Sequence, residues 1–204
     1  MALANVNTDD PRVKRTRKLL QDAFMELLQD KGFQAVTVQD ISQRSTVNRA
    51  TFYTHYENKY DLAEDLVRQQ FNERLAQSVS TRSPVTEDSL QALFRSVLSF
   101  VSEVYGHCGL DRQFEPLLER AMYAALHEFA LEWLNGQMTN GDRARAEISA
   151  CVMSAALIGV AVKSGSGGTD GRMAPDEFVR QVVRALGHGV IGDSVTVFSA
   201  RPAP

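Results

Sequence analysis

The chain has 204 residues, of which 44% are hydrophobic and 23% are charged, and its formal net charge is −3. This length suits one large domain or two small ones, and the composition is typical of a globular protein with a buried core. The start of the sequence has no basic segment followed by an apolar one, which argues against secretion. Two cysteines, Cys108 and Cys151, are too few for a disulfide framework, so we expect a cytoplasmic protein.

Charge is divided unevenly along the chain. Residues 12–60 contain nine Lys and Arg against five Asp and Glu, a net charge of +4, so the rest of the chain carries −7. A basic segment on an acidic body suits a protein of which one part meets a polyanion. The alternative interpretation is that this excess of four positive charges is due to chance. On charge alone, the two interpretations have equal weight.

The first third of the chain predicts four helices. Residues 1–9 are polar and predict a disordered tail, after which Pro11 suits the first turn of a helix that ends near Gly32. Its apolar stripe consists of Leu20, Ala23, Phe24, Leu27 and Leu28. The sequence "TVQD" is close to a capping box that opens a short second helix, and asparagines open the third and fourth helices. The three predicted N-caps are Thr37, Asn48 and Asn58.

Longer helices follow the polar segment "STRSPVTEDS". They are predicted at about 86–105, 116–138 and 142–163, with a last helix at about 175–189. The chain has no evident internal repeat or convincing strand, so the predicted fold class is all-α. We divide the chain into a disordered tail (1–9), a helix-turn-helix domain (10–57), a second helical domain (58–190) and a loose tail (191–204).

The second and third predicted helices, joined by a tight turn, describe a helix-turn-helix unit. At 3.6 residues per turn, Phe52 and Tyr56 share one face and are expected to pack on Ile41 and the first helix. Another face carries Arg49, Ala50, Tyr53 and Thr54, with Thr51 and His55 beside them. The guanidinium of Arg49, in the first turn, can donate two hydrogen bonds to guanine O6 and N7 in a major groove. This face therefore predicts a surface that reads DNA.

Five cations and no acid occupy residues 12–18: Arg12, Lys14, Arg15, Arg17 and Lys18. Cations at a helix start oppose the helix dipole, so an anionic partner such as a phosphate would compensate for them. We therefore take Arg15 and Arg17 as candidate phosphate contacts. The alternative is a solvated helix start with no partner.

The segment "GFQAVTVQDISQRSTVNRATFYTHYENKYDL" (32–62) resembles the signature of the TetR family of repressors. The shared features are a Gly-aromatic end to the first helix, Thr-Val-x-Asp-Ile in the second, and aromatic residues with His and Lys through the third. The close match covers about residues 12–70, and the remainder resembles the family only in its layout of long helices. The sequence departs at Ser45-Thr46, where the family usually has Ala-Gly.

The resemblance implies contacts with double-stranded DNA at matching positions. Arg49, Ala50 and Thr54 would touch bases. The other predicted DNA-binding residues are Asn48 and the phosphate contacts Thr37, Thr51, Tyr53, His55 and Lys59. Three of these have simpler alternatives, because Thr37 can act only as a cap, Lys59 only as a solvated charge and Tyr53 only in packing. A catalytic or metal-binding role for His55 is disfavoured because no partner lies nearby in sequence.

The segment "ISACVMSAALIGVAV" (148–162) predicts a helix that is apolar on every side. Its 15 residues are fewer than the roughly 20 that a membrane span needs, so we expect a buried helix. One side can pack on its own core, while Ala155, Ala156 and Gly159 allow a neighbour to approach closely. With the helix at 175–189 it would form the four-helix interface of a homodimer, as the resemblance also implies. The alternative is a monomer with a fully buried central helix.

The resemblance further implies a small-molecule effector, held by the helices between the two ends. The candidate lining residues are Phe94, Tyr105, Met122, Tyr123, His127, Phe129 and Trp133. Phe129 and Trp133 are four residues apart, and they can either stack a planar ligand or close the core. His107 and Cys108 have no third ligand at usable spacing, so neither a metal nor a cofactor is predicted.

The expected function is a ligand-responsive transcriptional regulator, a repressor that binds palindromic operator DNA as a dimer and that an effector releases. The alternatives are a helical adaptor, or an activator without an effector. An enzyme fits least, because no nucleophile with its base, no metal-ligand cluster and no phosphate loop is evident. The sequence "GSGG" follows a predicted helix instead of preceding one, so it makes a poor phosphate loop. No catalytic residue is predicted.

Overall fold

A computed structural model of the chain describes residues 10–108, 115–137, 143–165 and 175–186, and within these ranges all regular structure is α-helical. The helices are α1 (Pro11–Ala35), α2 (Val38–Ser45), α3 (Arg49–His55), α4 (Lys59–Ser78), α5 (Glu87–Cys108), α6 (Glu115–Asn135), α7 (Arg143–Gly165) and α8 (Pro175–Leu186). The all-α prediction is confirmed. The predicted tails lie outside the described residues, as do the side chains of His107 and Cys108.

The chain forms two compact units. The first combines Met1–Val67 with Tyr105–Leu118, and the second combines Arg68–Val104 with Glu119–Pro204. Three helices, α4, α5 and α6, contribute residues to both units. The first unit continues along α4 beyond residue 57, where the sequence predicts the end of the helix-turn-helix domain.

The ends of α1 follow from local sequence. Asp10 caps its start by accepting a hydrogen bond from the backbone N–H of Arg12 at 2.8 Å, and Pro11 occupies the first turn. At Gly32 the backbone has φ 74°, a left-handed value that glycine adopts without a steric penalty. The helical conformation is therefore interrupted where the sequence predicts its end, although the helix range continues to Ala35.

The turn between α2 and α3 contains a strained residue. α2 begins with a complete capping box between Thr37 and Asp40, as predicted, and it ends at Thr46, which has φ 58° and ψ 21°. The turn is closed by a hydrogen bond from the Val47 N–H to the Ser42 carbonyl at 3.1 Å. A β-branched residue in this left-handed region is uncommon and unfavourable. The turn thus takes a conformation suited to glycine without having glycine.

The core of the first unit fixes α3 against its neighbours. Fully buried apolar side chains come from α1, α2, α3 and α4, among them Leu20, Phe24, Ile41, Phe52 and Leu62. Burying one such side chain stabilises a fold by about 1.5–3 kcal/mol. Because Phe52 belongs to this core, the opposite side of the short α3 helix must face outward.

The second unit has its own core. Its fully buried side chains include Leu93, Phe94, Val97, Leu126 and Trp133. α8 is joined to α5 by the rings of Phe94 and Phe178, 6.1 Å apart, and by a hydrogen bond from Arg95 Nη2 to Asp176 Oδ1 at 2.9 Å. These contacts fix the position of α8 against α5.

α7 has an inward face and an outward face. By length and composition alone it could cross a membrane, since its most apolar window has a mean hydropathy of 1.6. Its inward face, however, is buried within the chain through Ala150, Met153, Leu157 and Ala161. Such one-sided burial is typical of a core helix in a globular domain.

Candidate nucleic-acid interface

α3 divides into the two predicted faces. Phe52 has no exposed surface, and Tyr56, directly after the helix, is only 3% exposed. Their rings lie 5.8 Å apart, and Ile41 of α2 is fully buried in the same core. The inward face of α3 is therefore anchored in the core of the first unit.

The outward face brings together the residues predicted to touch bases. The exposed side chains are Arg49, Ala50, Tyr53 and Thr54. Asn48 begins the helix, since its side-chain oxygen accepts a hydrogen bond from the Ala50 N–H at 2.8 Å. The Thr54 hydroxyl donates to the Thr51 carbonyl at 2.7 Å. Within two turns, this short helix thus presents a cation, a small residue, a phenol and a hydroxyl to solvent.

Arg49 and Tyr53 contact each other on this face. Nη2 of Arg49 lies 3.4 Å from the Tyr53 hydroxyl oxygen, and the guanidinium carbon lies 6.0 Å from the centre of the Tyr53 ring. The Tyr53 residue is 45% exposed. Tyr53 is therefore available to a partner, and the alternative that it only packs in the core is not what the structure shows.

A polar network joins α1, α4 and the end of α3. The Tyr56 hydroxyl donates to Asp65 Oδ2 at 2.7 Å, and Gln21 Nε2 donates to the same oxygen at 3.2 Å. Burial and the Asp65 carboxylate raise the pKa of Tyr56 well above its usual value, so the phenol remains a donor. Arg17 approaches Asp65 at 3.7 Å and lies over the Tyr56 ring, 5.4 Å from its centre. Arg17 thus takes part in contacts inside the unit, which differs from its predicted place as an outward phosphate contact, whereas Arg15 is exposed.

His55 is placed differently from the prediction. It is only 8% exposed, and its Nδ1 atom is buried without a hydrogen-bond partner among the described residues. Burial, together with the positive charge of Arg17, lowers the pKa of His55 below 6.5, so the neutral imidazole is favoured. The outward position beside the reading face is therefore corrected. His55 lies three residues after Phe52, so helical periodicity is consistent with its burial, and its polar character was what suggested an outward position.

Lys59 also differs from the expected outward charge. Its Nζ atom donates hydrogen bonds to the carbonyls of Phe33 and Val36, both at 2.9 Å, and to that of Gln34 at 3.2 Å. It further lies 4.7 Å from the centre of the Phe33 ring. These acceptors belong to the end of α1, whose last carbonyls have no partner within the helix. In this structure Lys59 ties the start of α4 to the end of α1 instead of extending into solvent.

Thr37 serves as a cap, one of the alternatives open from the sequence. Its side-chain oxygen accepts from the Asp40 N–H at 3.2 Å, and its own N–H donates to Asp40 at 2.8 Å. Hydrogen bonds from Lys31 and Thr37 lower the pKa of Asp40 to about 2 from 3.8. The Thr37 residue is nonetheless exposed, so the cap leaves it accessible to a phosphate.

Two glutamines that were not predicted as site residues lie near Arg49. Gln39, Ser42, Gln43, Val47 and Arg49 line an open recess of about 320 Å³ between α2 and α3. Gln39 and Gln43 lie one helical turn apart and both are exposed. Carboxamides can make paired hydrogen bonds to adenine in the major groove. Their four-residue spacing on α2 was the signal in the sequence that could have identified them.

The predicted effector residues do not form one group. Phe94, Met122 and Trp133 are fully buried, and the Trp133 Nε1 donates to the Ser83 carbonyl at 2.7 Å. Phe129 lies beside Trp133, with ring centres 6.2 Å apart. Trp133 therefore packs in the core of the second unit and binds the segment between α4 and α5 through Ser83. This agrees with the alternative that Phe129 and Trp133 close the core.

Tyr123 and His127 lie on a different side of α6, against α7. Their rings stack with centres 6.0 Å apart, and both residues are partly exposed. The Tyr123 hydroxyl is 3.3 Å from the Cys151 sulfur, and His127 Nε2 is 3.4 Å from a Glu147 carboxylate oxygen. Tyr105, the remaining candidate, is partly exposed and belongs to the first unit. Among the predicted effector residues in the second unit, Tyr123 and His127 are thus the two that combine polar groups with access to solvent.

α7 leaves an apolar stripe uncovered. Ile148 is 65% exposed and Val152 is 40% exposed, and Ala155 and Gly159 continue the same face. A Cβ atom added to Gly159 would meet nothing within 4 Å. This face is therefore flat, accessible and apolar over about three helical turns.

A capped helix, a tight turn and a short second helix with an exposed arginine define a helix-turn-helix DNA-binding domain. The sequence model of the family described as "Bacterial regulatory proteins, tetR family" matches residues 20–66. This region is a DNA-binding domain of the tetR family, so the resemblance carried by residues 32–62 is confirmed.

Curated relatives point to the same class. The chain is 33% identical over 159 residues to YxbF of Bacillus subtilis (strain 168), an uncharacterized HTH-type transcriptional regulator, with 74% of this chain and 40% of YxbF covered. YvkB of the same organism, described in the same words, is 31% identical over 86 residues, covering 42% of this chain and 41% of YvkB. The chain thus spans about two fifths of the length of these relatives. Both are named as transcriptional regulators and not as enzymes.

A solved structure supports the fold. A TetR-family regulator from Streptomyces coelicolor A3 is similar, with a TM-score of 0.58 and 17% identity, covering 90% of this chain and 98% of that one. The similarity extends well beyond residues 20–66. The helices that follow the DNA-binding domain therefore belong to the same fold as those of that regulator.

Proposed function

We propose that the protein is a cytoplasmic transcriptional repressor that binds a palindromic DNA operator as a homodimer and is released by a small-molecule effector. The observation that carries the DNA-binding part is the outward face of α3. There Arg49, Ala50, Tyr53 and Thr54 are exposed together, while Phe52 holds the opposite face in the core. A helix fixed in this way can enter a major groove without losing its own packing.

The chemistry of this face suits a guanine-containing site. The Arg49 guanidinium can donate to guanine O6 and N7, and Ala50 permits a close approach of the helix to the bases. The exposed Arg15 can neutralise a phosphate next to the site. Each phosphate neutralised adds about 0.9 to the slope of log affinity against log salt concentration. The interaction is therefore expected to be both sequence-dependent and salt-dependent.

The test is a titration of a fluorescent duplex from the upstream region of the protein's own gene, at several salt concentrations. Arg49→Ala is expected to weaken operator binding by about 1–3 kcal/mol and to relax the preference at one base pair. Gln29→Ala, on an exposed position of α1, serves as the matched control and should bind like the wild type. Equal binding of the wild type to the operator and to a shuffled duplex would contradict the proposal.

The uncovered stripe of α7 supports a homodimer. Ile148 and Val152 are large apolar residues exposed on one face, and Ala155 and Gly159 allow a second helix to approach. Contiguous apolar surface of this kind commonly marks an interface. A dimer is also required to read a palindromic operator. One recognition helix reads one half-site, and the two helices of a dimer read two half-sites about one turn of DNA apart.

Sedimentation of wild type and variants tests the dimer. Ile148→Glu would place a carboxylate in an apolar interface, so we expect it to shift the protein from dimer to monomer and to weaken operator binding. Asn72→Glu adds the same carboxylate to an exposed position of α4 and should leave the dimer intact. A dimer that tolerates Ile148→Glu would show that this face of α7 is not the interface.

Repression and effector response are tested by a reporter gene placed behind the operator. Loss of the protein should raise expression, whereas a fall in expression would identify the activator alternative. Effector candidates are compounds that raise expression only in its presence. Tyr123 and His127 provide the accessible polar and aromatic groups in the second unit, so His127→Ala should alter the effector concentration required without altering operator binding.

A further inference from the structure

Arg49 is held by a neighbour on the same helix. Its Nη2 atom lies 3.4 Å from the Tyr53 hydroxyl oxygen, and its guanidinium carbon lies 6.0 Å from the Tyr53 ring centre. An arginine that moves freely on a helix surface loses rotamer freedom when it binds a base. A contact that already restrains the guanidinium reduces this loss and so increases affinity.

The Tyr53 ring is itself fixed. The ring of Phe52 meets it edge to face, with centres 5.5 Å apart and planes at 86°. Phe52 has no exposed surface, so its ring is immobilised by the core of the first unit. Restraint thus passes from the core through Phe52 to Tyr53, and from Tyr53 to Arg49.

The contact leaves Arg49 able to read a base. A guanidinium has five N–H donors, and each terminal nitrogen carries two hydrogens. Nη2 can therefore donate one hydrogen to Tyr53 while the other, together with Nη1, forms the paired contact with guanine. We propose that Tyr53 is the positioning residue of Arg49, and that it sets the preference of α3 for one base pair. This inference rests on the proposed function, namely that α3 reads DNA.

A direct contact between Tyr53 and a phosphate predicts a different pattern. Loss of a phosphate contact weakens binding to every sequence alike. Loss of a positioning residue weakens binding only where the positioned group makes its contact. Once Arg49 is removed, Tyr53 should therefore matter little.

The two patterns separate in a double-mutant cycle with wild type, Tyr53→Phe, Arg49→Ala and the double variant. Each protein is titrated with the operator and with duplexes changed at single base pairs, at several salt concentrations. Tyr53→Phe keeps the ring and removes the hydroxyl, so we expect operator binding to weaken about three- to tenfold. The loss should be confined to the operator with the base pair that Arg49 reads, should be less than about twofold in the Arg49→Ala background, and should leave the salt slope unchanged. Tyr53→Leu removes the ring as well and should cost more.

Tyr60→Phe is the matched control, since it removes a phenol hydroxyl from α4 of the same unit and should bind the operator like the wild type. Circular dichroism melting checks that each variant is folded. An equal loss from Tyr53→Phe in both backgrounds, or on all base-pair variants, overturns the positioning role while leaving DNA recognition by α3 intact. Wild-type protein that binds all duplexes equally would instead overturn the proposed function, and the inference with it.

Discussion

Among the described residues, Thr46 is the non-glycine residue with a positive φ angle. A substitution at Thr46 is therefore expected to raise the stability of the helix-turn-helix domain. Thr46 adopts φ 58° and ψ 21°, a conformation that costs an L-residue roughly 1–2 kcal/mol. Glycine adopts it without that penalty, but the greater freedom of glycine in the unfolded chain costs roughly 0.5–1 kcal/mol. Among the described residues, the Thr46 hydroxyl bonds only to the adjacent Ser45 carbonyl, at 2.7 Å, and water can replace that bond. Thr46→Gly should therefore stabilise the domain, by up to about 1 kcal/mol.

A comparison of glycine with alanine isolates the backbone contribution. Thr46→Gly and Thr46→Ala both remove the hydroxyl, but only glycine is free of the left-handed penalty, so it should be the more stable by about 1 kcal/mol. In a helix interior the order reverses, because glycine is less stable than alanine there by about 1 kcal/mol. Gln29, exposed on α1, supplies this reference through Gln29→Gly and Gln29→Ala. The opposite sign at the two positions is the expected signature.

Hydrogen exchange by mass spectrometry, on peptides covering α2 and α3, measures the local opening free energy. Opening breaks the bonds from the Val47 N–H to the Ser42 carbonyl and from the Phe52 N–H to the Asn48 carbonyl, at 3.1 Å and 2.9 Å. Slower exchange in Thr46→Gly than in Thr46→Ala is the predicted result. Equal exchange, or slower exchange in Thr46→Ala, would refute the reasoning that strain at Thr46 opposes folding.

Two further predictions concern residues whose placement differs from expectation. The pKa of His55 is lowered in the folded state, so its stabilising contribution is present above pH 6.5 and is lost as the pH falls below 6.5 through the folded-state pKa. Exchange from the α3 peptide should accelerate between pH 7.5 and 5.5 after correction for the intrinsic rate, and His55→Gln should reduce this change; an identical pH response would exclude His55. Lys59→Met removes three hydrogen bonds to carbonyls and should destabilise the first unit by about 1–3 kcal/mol without changing the salt slope of DNA binding. Arg15→Met should instead lower that slope by about 0.9, and a similar fall for Lys59→Met would show that Lys59 contacts phosphate.

Short-range signals allowed the helix starts to be predicted from the sequence. Thr37, Asn48 and Asn58 each act on backbone N–H groups two or three residues away, for example Asn58 on Tyr60 at 2.7 Å. The inward position of Phe52 also followed from periodicity, because α3 is regular over its length. Contacts of this kind depend on residues that are adjacent in the sequence or one helical turn apart, so no tertiary information was required.

Two of the misplaced residues, Lys59 and Arg17, share a different physical cause. Lys59 bonds to carbonyls 23 to 26 residues earlier, and Arg17 meets Asp65 across the first unit. Both side chains are long and cationic, and a helical pattern marks such residues as outward because it records polarity and not the length of the side chain. A long cation can reach back to the unpaired carbonyls at a helix end or to a partly buried carboxylate. In a basic segment that binds DNA, therefore, the cations without such an internal acceptor remain available to DNA. The exposed Arg15, for a phosphate, and Arg49, for a base, are better candidates than Arg17 and Lys59.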